Sequence, residues 1–295
     1  MSAEISAEMR AKVSTEIRIT DVRHRFGEQE VLKGIQLDVQ KGEIFGLLGP
    51  SGAGKTTLIN IMTGQLTPSA GHVEILGKKS TALSGKDYMQ IGIMMDNFGL
   101  YERMSAFDNL KFYDMIDGRN SGKIMQILEY VGLKDAAKKK VSDLSKGMRN
   151  RLSFARVLLR SPRVMFLDEP TSGLDPMTVE AIHDLILREK EKGTTIFLTT
   201  HNMHEAEKLC DHIALLNEGT IVEFGPPHEI CRRYNHQKKL QIHLKDGSDL
   251  LLGHTPESGE KIAELLRAGE LETIHSTEPN LETVFMELTG KGFDK

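Results

Sequence analysis

At 295 residues, with 39% hydrophobic and 27% charged residues and a formal net charge of −4, the chain is composed for a large soluble core and more than one subdomain. That charge balance excludes a domain-wide basic surface of the kind that neutralises a phosphate backbone, so nucleic acid is not an expected partner. No uncharged apolar run approaches the ~18 residues needed to cross a bilayer, so any membrane role is expected to run through a partner.

Cys210 and Cys231 stand far apart without a CxxC partner, which argues against a zinc site or a disulfide framework and fits a reducing, cytosolic compartment. Residues 1–14 mix acidic, basic and small groups with no apolar core. They read as a mobile tail, neither signal peptide nor anchor.

In chain order, Ile17, Ile19 and Val22, then Leu37 and Val39, mark two short alternating segments joined by polar residues and Gly27, as in an antiparallel edge. Phe26 falls in the turn between them, either as a core residue or as a platform for a flat ring. Glu43 to Leu48 reads as a buried strand that runs into Gly49-Pro50-Ser51-Gly52-Ala53-Gly54-Lys55-Thr56-Thr57, a GxxxxGK[ST] loop. The glycines let successive N–H groups turn inward, and a helix beginning near Lys55 points its positive end at the same spot. Polyphosphate fits such a cradle, with Lys55 on the β- and γ-phosphates and the Thr56 hydroxyl on Mg²⁺. The bland alternative is a Gly-rich turn with a solvated lysine. Leu58, Ile59 and Met62 at helical spacing argue against it.

After a turn at Pro68 to Gly71 and a strand from His72 to Leu76, the character changes between about 98 and 162. Ala106 to Ile116, Lys123 to Val131 and Lys146 to Arg160 carry apolar residues at three- and four-residue spacing, which predicts a helical insert. Lys138-Lys139-Lys140 within it reads as a solvated helix end or loop. Ser145 is placed to cap the third helix, whose first amides then face an anion.

Strand and helix alternate from there. Arg163 to Leu167 is a short apolar strand ending in Asp168-Glu169-Pro170, Asp175-Pro176 opens a helix, and Thr194 to Thr200 is a β-branched strand ending at His201. This is the rhythm of a parallel sheet covered by helices. Lys55, Asp168-Glu169 and His201 therefore all fall at the carboxyl ends of strands, the edge at which open α/β sheets bind ligands. Asp168 and Glu169, as adjacent carboxylates, must point in different directions: Asp168 would hold Mg²⁺, and Glu169 would orient the water that attacks the γ-phosphate. His201 could donate a hydrogen bond to that phosphate, or be a surface histidine beside His204. Ile213 to Leu216 and Ile221 to Phe224 read as a hairpin. From about 236 onward, a strand at Leu240, Ile242 and Leu244 and helices at Ile262 to Leu266 and Leu281 to Leu288 predict a small α+β extension.

These residues resemble the nucleotide-binding subunit of ABC transporters over roughly residues 15 to 230, with the family's elements in order. They are Gly49 to Thr56 (Walker A), Leu144-Ser145-Lys146-Gly147-Met148 (signature), Val164 to Glu169 (Walker B), Ser172-Gly173-Leu174-Asp175 (D-loop) and His201 (switch histidine). The resemblance implies an α/β P-loop NTPase (RecA-like) core with an antiparallel β edge subdomain, the helical insert and the small carboxyl-terminal α+β extension. It divides the chain into the tail 1–14, an ATPase domain 15–235 and the extension 236–295. It also implies that Phe26 stacks on adenine, that Ser51 sits near the γ-phosphate, and that two chains, identical or similar, sandwich ATP between one chain's Lys55 loop and the other's Ser145 and Gly147. Asp96 stands where the family usually has Gln, and it could still contact Mg²⁺; an ionised aspartate only accepts hydrogen bonds. The signature reads LSKGM where LSGGQ is most frequent.

In this family the region corresponding to Asn97-Phe98-Gly99-Leu100-Tyr101, with Met104 and Phe107, receives a helix of an integral-membrane permease. The ending from Glu278 to Gly290, together with LSKGM, looks like the branch of drug, lantibiotic and polysaccharide exporters. The implied protein is an ATP-hydrolysing exporter subunit, peripheral on the inner face of the cell membrane. A soluble non-transport ABC ATPase and an ATP-dependent regulatory switch are the rival readings.

Overall fold

The computed structural model describes residues 14–95, 99–119, 121–236, 238–277 and 279–290. Asp96, Asn97 and Phe98, and residues 1–13 of the expected tail, lie outside the described residues. By compactness the chain divides into two units, Met1–Phe224 and Gly225–Lys295.

In the first unit, β1 (Thr15–Phe26) and β2 (Gln29–Gln40) are longer than their sequence pattern indicates, at 12 residues each. They pair antiparallel from Thr15 against Gln40 to Phe26 against Gln29, with several register shifts. Those shifts interrupt the period-2 alternation, so the sequence reads as two short segments where the backbone forms one long hairpin. With β4 (Ala70–Ile75) and β5 (Lys78–Lys79) they make an antiparallel sheet in the order β2-β1-β4-β5.

The second sheet contains β3 (Ile44–Leu48), β6 (Ile91–Met94), β7 (Val164–Asp168), β8 (Thr195–Thr200), β9 (His212–Asn217) and β10 (Thr220–Gly225), in the order β10-β9-β3-β8-β7-β6. β3, β7 and β8 are buried at every position, which is why they read as unbroken apolar runs: a central parallel strand is covered on both faces. β3 pairs parallel with β8 and β9, and β7 pairs parallel with β8 and β6. Phe45 stacks on Phe197 with ring centroids 5.5 Å apart, and Phe197 meets Phe166 at 6.0 Å, so one row of rings ties β3, β8 and β7 together.

Several helices of this unit start where the sequence provides caps. Ser105 accepts from Asp108 N–H at the head of Ala106–Ile116, and Ser145 accepts from Met148 N–H at the head of Lys146–Leu158. Asp175 accepts from Thr178 N–H ahead of Pro176, the first residue of Pro176–Glu191. The expected three-helix insert is present as Ala106–Ile116, Ile124–Tyr130 and Lys146–Leu158.

The second unit holds a three-stranded sheet in the order β12-β11-β13, from β11 (Lys239–Leu244), β12 (Asp249–Gly253) and β13 (Leu271–Ser276), with helices Pro227–Arg233, Pro256–Ala268 and Leu281–Thr289. Both flanking strands are absent from the sequence reading. β13 is nearly all exposed, so it carries no buried face for an alternating pattern to reveal.

Candidate nucleotide site

Three strand ends build the site. β3 ends at Leu48, and the loop after it turns on Gly52 and Gly54, at φ 82° and 112°, where an L side chain is strained. A side chain at Gly49 would place its Cβ 2.4 Å from the Leu216 carbonyl oxygen, so the loop lies against the end of β9 with no room to spare. At Gly52, by contrast, a Cβ would meet nothing within 4 Å. The loop is therefore packed on its protein side and open on the other. The helix Lys55–Met62 starts from Gly54 with no side-chain cap, which leaves its first amides aimed at a ligand.

Lys55 is buried in this loop. Its ammonium donates to the carbonyls of Gly49 at 2.6 Å and Pro50 at 3.3 Å, and it lies 3.3 Å from Glu169 Oε1. The cation is thus held by oxygens in the place where phosphate oxygens would act.

β7 delivers the carboxylates. Asp168 is its last residue, and Glu169 follows at φ 49°, a left-handed value that ends the strand and separates the two side chains. Asp168 turns to the loop helix, where Thr56 Oγ1 donates to its Oδ2 at 3.0 Å, while Thr199 Oγ1 donates to its Oδ1. A hydroxyl and a carboxylate side by side are the donors that a hard divalent cation takes alongside phosphate oxygens and water. Glu169 turns to Lys55 and to His201 at the end of β8, with His201 Nδ1 2.7 Å from its Oε2. Thr199 also receives the Glu169 N–H, 3.2 Å from its hydroxyl and 3.1 Å from its carbonyl. Thr199 is a member of the site, although along the chain it reads only as part of a β-branched strand. Its signal is the parallel register, which sets Thr199 opposite Asp168 and is not written along the chain.

Lys55, Thr56, Asp168, Glu169 and His201 are thereby brought together, with Ser51, Ala53 and Thr57 on the same loop and helix start. Phe26 is 53% exposed at the end of β1, its ring edge-on to His24 at 4.7 Å, so it serves as no part of the core. Ser145 and Gly147 belong to the start of the helix Lys146–Leu158, which packs on the segment after Glu169. Lys146 Nζ donates to the Ser172 carbonyl at 2.8 Å, Asn150 Nδ2 donates to the Pro170 carbonyl at 2.7 Å, and a Cβ at Gly147 would strike Thr178. Among the described residues no hydrogen bond or ion pair joins Ser145 or Gly147 to the loop 49–57. The expected contact of Asp96 lies outside the described residues.

Behind Glu169 a buried cluster also escaped the sequence reading. Glu205 Oε1 accepts from Thr171 Oγ1 at 2.7 Å and lies 3.1 Å from His183 Nε2, joining the segment after Glu169 to the helices Pro176–Glu191 and Met203–Leu209.

Comparison with known proteins agrees with this geometry. Residues 32–172 match the family model described as ABC transporter. The chain is 38% identical over 301 residues to a fluoroquinolones export ATP-binding protein of Mycobacterium tuberculosis, covering 99% of each. It is 30% identical to a linearmycin resistance ATP-binding protein of Bacillus subtilis, covering 93% of this chain and 98% of that one. A Nod factor export ATP-binding protein of Cupriavidus metallidurans is 33% identical, with 93% and 97% covered. Among solved structures, the ATP-binding subunit of an ABC transporter superposes with a TM-score of 0.68 at 27% identity, covering 75% of this chain and 93% of that one. A dimeric ATP-binding cassette in a post-hydrolysis state, bound to ADP and Pi, superposes with a TM-score of 0.64 at 26% identity, covering 71% and 98%. A polyphosphate cradle at the head of a parallel sheet, joined to relatives matched over nearly their whole length, places the chain in the ABC transporter family as one of its ATP-binding subunits.

Proposed function

We propose that this chain hydrolyses ATP as one half of a head-to-tail dimer and drives an export permease from the inner face of the cell membrane. The observation that carries the reading is the division of the site. Lys55, Thr56, Asp168, Glu169 and His201 converge at one sheet edge, while among the described residues Ser145 and Gly147 make no hydrogen bond or ion pair with that loop, and Lys146 and Gly147 pack against Ser172 and Thr178. A pocket with one wall in each of two chains needs association before it excludes water, which ties hydrolysis to closure.

In this reading the loop amides and Lys55 hold the phosphates, Lys55 exchanging its main-chain carbonyls for phosphate oxygens. Phe26 offers its exposed face to adenine. Thr56 and Asp168 would hold Mg²⁺, which neutralises charge on the β- and γ-phosphates when bound. Glu169 orients and deprotonates the attacking water, and His201 holds the Glu169 carboxylate and donates to the γ-phosphate. The second chain's Ser145 and Gly147 add amides and a hydroxyl to the transferring phosphoryl group. Asp96 is kept as a contact near the metal, and residues 97–101 with Met104 and Phe107 as the surface that meets the permease. Export follows from the names of the relatives, each an export or resistance protein, which favours a transport role over a regulatory switch.

The test is size-exclusion chromatography of Glu169→Gln with ATP and Mg²⁺, beside steady-state hydrolysis by the unaltered chain. An ATP-dependent dimer together with hydrolysis that depends on Glu169 is the expected result. A monomer under all conditions, or equal rates for both forms, overturns the reading.

A further inference from the structure

The three lysines at 138–140 are exposed, as their sequence reads, in the connection between the short helical turns Lys134–Ala136 and Val141–Asp143. Residues 102–107 and 137–142 run antiparallel and exchange main-chain hydrogen bonds: Val141 N–H to the Met104 carbonyl at 3.0 Å, Ser142 N–H to Glu102 at 3.0 Å, Ala106 N–H to Lys139 at 3.0 Å, and Phe107 N–H to Ala137 at 2.9 Å. Lys138 and Lys140 line one open hollow of about 530 Å³ with Arg103 and Lys111, and Lys139 does not.

Four cations face this hollow, with a single carboxylate among them, Asp108, which is engaged by Ser105 Oγ at 2.6 Å. Arg103, Lys111, Lys138 and Lys140 are exposed, and none takes part in an ion pair among the described residues. A protein of net charge −4 thus presents a local positive field. The hollow also has apolar lining, from Met104, Phe112 and Met115, the last of them 55% exposed; Ile116, next in the chain, is 63% exposed.

We propose that this surface seats the helical subdomain on anionic phospholipid headgroups. Basic side chains take the phosphates while protruding thioether and aliphatic groups enter the headgroup boundary, the combination by which peripheral surfaces bind acidic bilayers. A single-stranded nucleic acid would call for a track of stacking rings, and only Phe112 is present. An acidic helix of a membrane partner would call for a closed groove, whereas this hollow is open. Met104 belongs both to the hollow and to the segment assigned above to the permease, which sets the cations on the membrane side; that placement alone rests on the proposed function.

The experiment is flotation of the full purified chain with vesicles of phosphatidylcholine alone or with about 30% phosphatidylglycerol, at low salt and at about 0.5 M salt. The expected result is binding only to the acidic vesicles, lost at high salt. Each basic side chain near such a surface raises affinity about fivefold, so Lys138→Glu with Lys140→Glu should weaken binding at least tenfold, and Lys139→Glu much less. Arg103→Ala with Lys111→Ala gives the same answer if the first pair fails to fold by circular dichroism. Equal binding to neutral vesicles, no binding at all, or equal losses for Lys139→Glu and the lining pair overturns the proposal. So does unchanged vesicle binding with lost permease co-purification in the lining variants, which would assign the surface to an acidic protein segment. ATPase activity measured in parallel keeps the two readings apart: vesicle binding without hydrolysis would sink the proposed function and leave this one standing.

Discussion

Glu169 Oε2 stands 2.7 Å from His201 Nδ1, so the residue that follows β7 and the residue that follows β8 hold each other across the sheet edge. The other oxygen of the same carboxylate is 3.3 Å from Lys55 Nζ. One side chain therefore links all three strand ends. Glu169→Gln keeps the size and one acceptor but removes the base, and should lower ATP turnover by ~10²–10⁴-fold with nucleotide affinity nearly unchanged. His201→Ala, which frees the carboxylate to swing and removes a donor, should lower turnover by ~10²-fold or more. Steady-state phosphate release and titration with a fluorescent ATP analogue check both. A His201→Ala enzyme at full rate would remove the histidine from the mechanism.

Two glycines of the phosphate loop should respond to the same methyl group for different reasons. Gly49→Ala drives a Cβ into the Leu216 main-chain oxygen, and should destabilise the fold by about 1–3 kcal/mol by prising the loop from β9. Gly52→Ala meets no atom but keeps φ near 82°, so it should lower stability by about 1 kcal/mol while projecting into the phosphate space and weakening ATP binding. Urea unfolding midpoints set beside ATP titrations separate the two. Equal stability losses would mean the loop relaxes freely at Gly49.

Glu205 is 1% exposed and accepts from Thr171 while touching His183. Glu205→Ala strands both partners in the interior and should lower stability by about 2–4 kcal/mol, whereas Glu205→Gln, which keeps one acceptor, should lower it by roughly half as much. Because Thr171 follows the Glu169-Pro170 turn, the Ala variant should also slow hydrolysis. Chemical denaturation with a parallel rate measurement decides, and an Ala variant as stable as the parent would show that water replaces the carboxylate.

In the second unit, His243 Nδ1 lies 2.6 Å from Asp249 Oδ1, and this hydrogen bond with the attraction of the same carboxylate raises the histidine pKa above its ordinary value. A raised folded pKa means that the pair's stabilisation is complete below the ordinary histidine pKa and is lost as pH rises through the folded one. Histidine proton chemical shifts followed against pH should show His243 titrating late, and Asp249→Asn should move it back down. An unmoved titration in that variant would refute the assignment.

Along the chain, the sequence by itself determined the phosphate loop, the adjacent carboxylates and the terminal histidine, because each carries its chemistry in local spacing: glycines that turn a backbone, an apolar run that ends in acids, a β-branched run that ends in His201. It also determined the helix starts, since Ser105, Ser145 and Asp175 bond to amides only three residues away. What only the tertiary structure decided depends on register and on long-range packing. Thr199 joins the site because parallel pairing sets it against Asp168, Glu205 meets Thr171 across 34 residues, and Lys138 and Lys140 come to one hollow with Arg103 because main-chain hydrogen bonds join residues 102–107 to 137–142. Such contacts are set by which strands lie side by side, and a one-dimensional pattern of polarity contains no term for that.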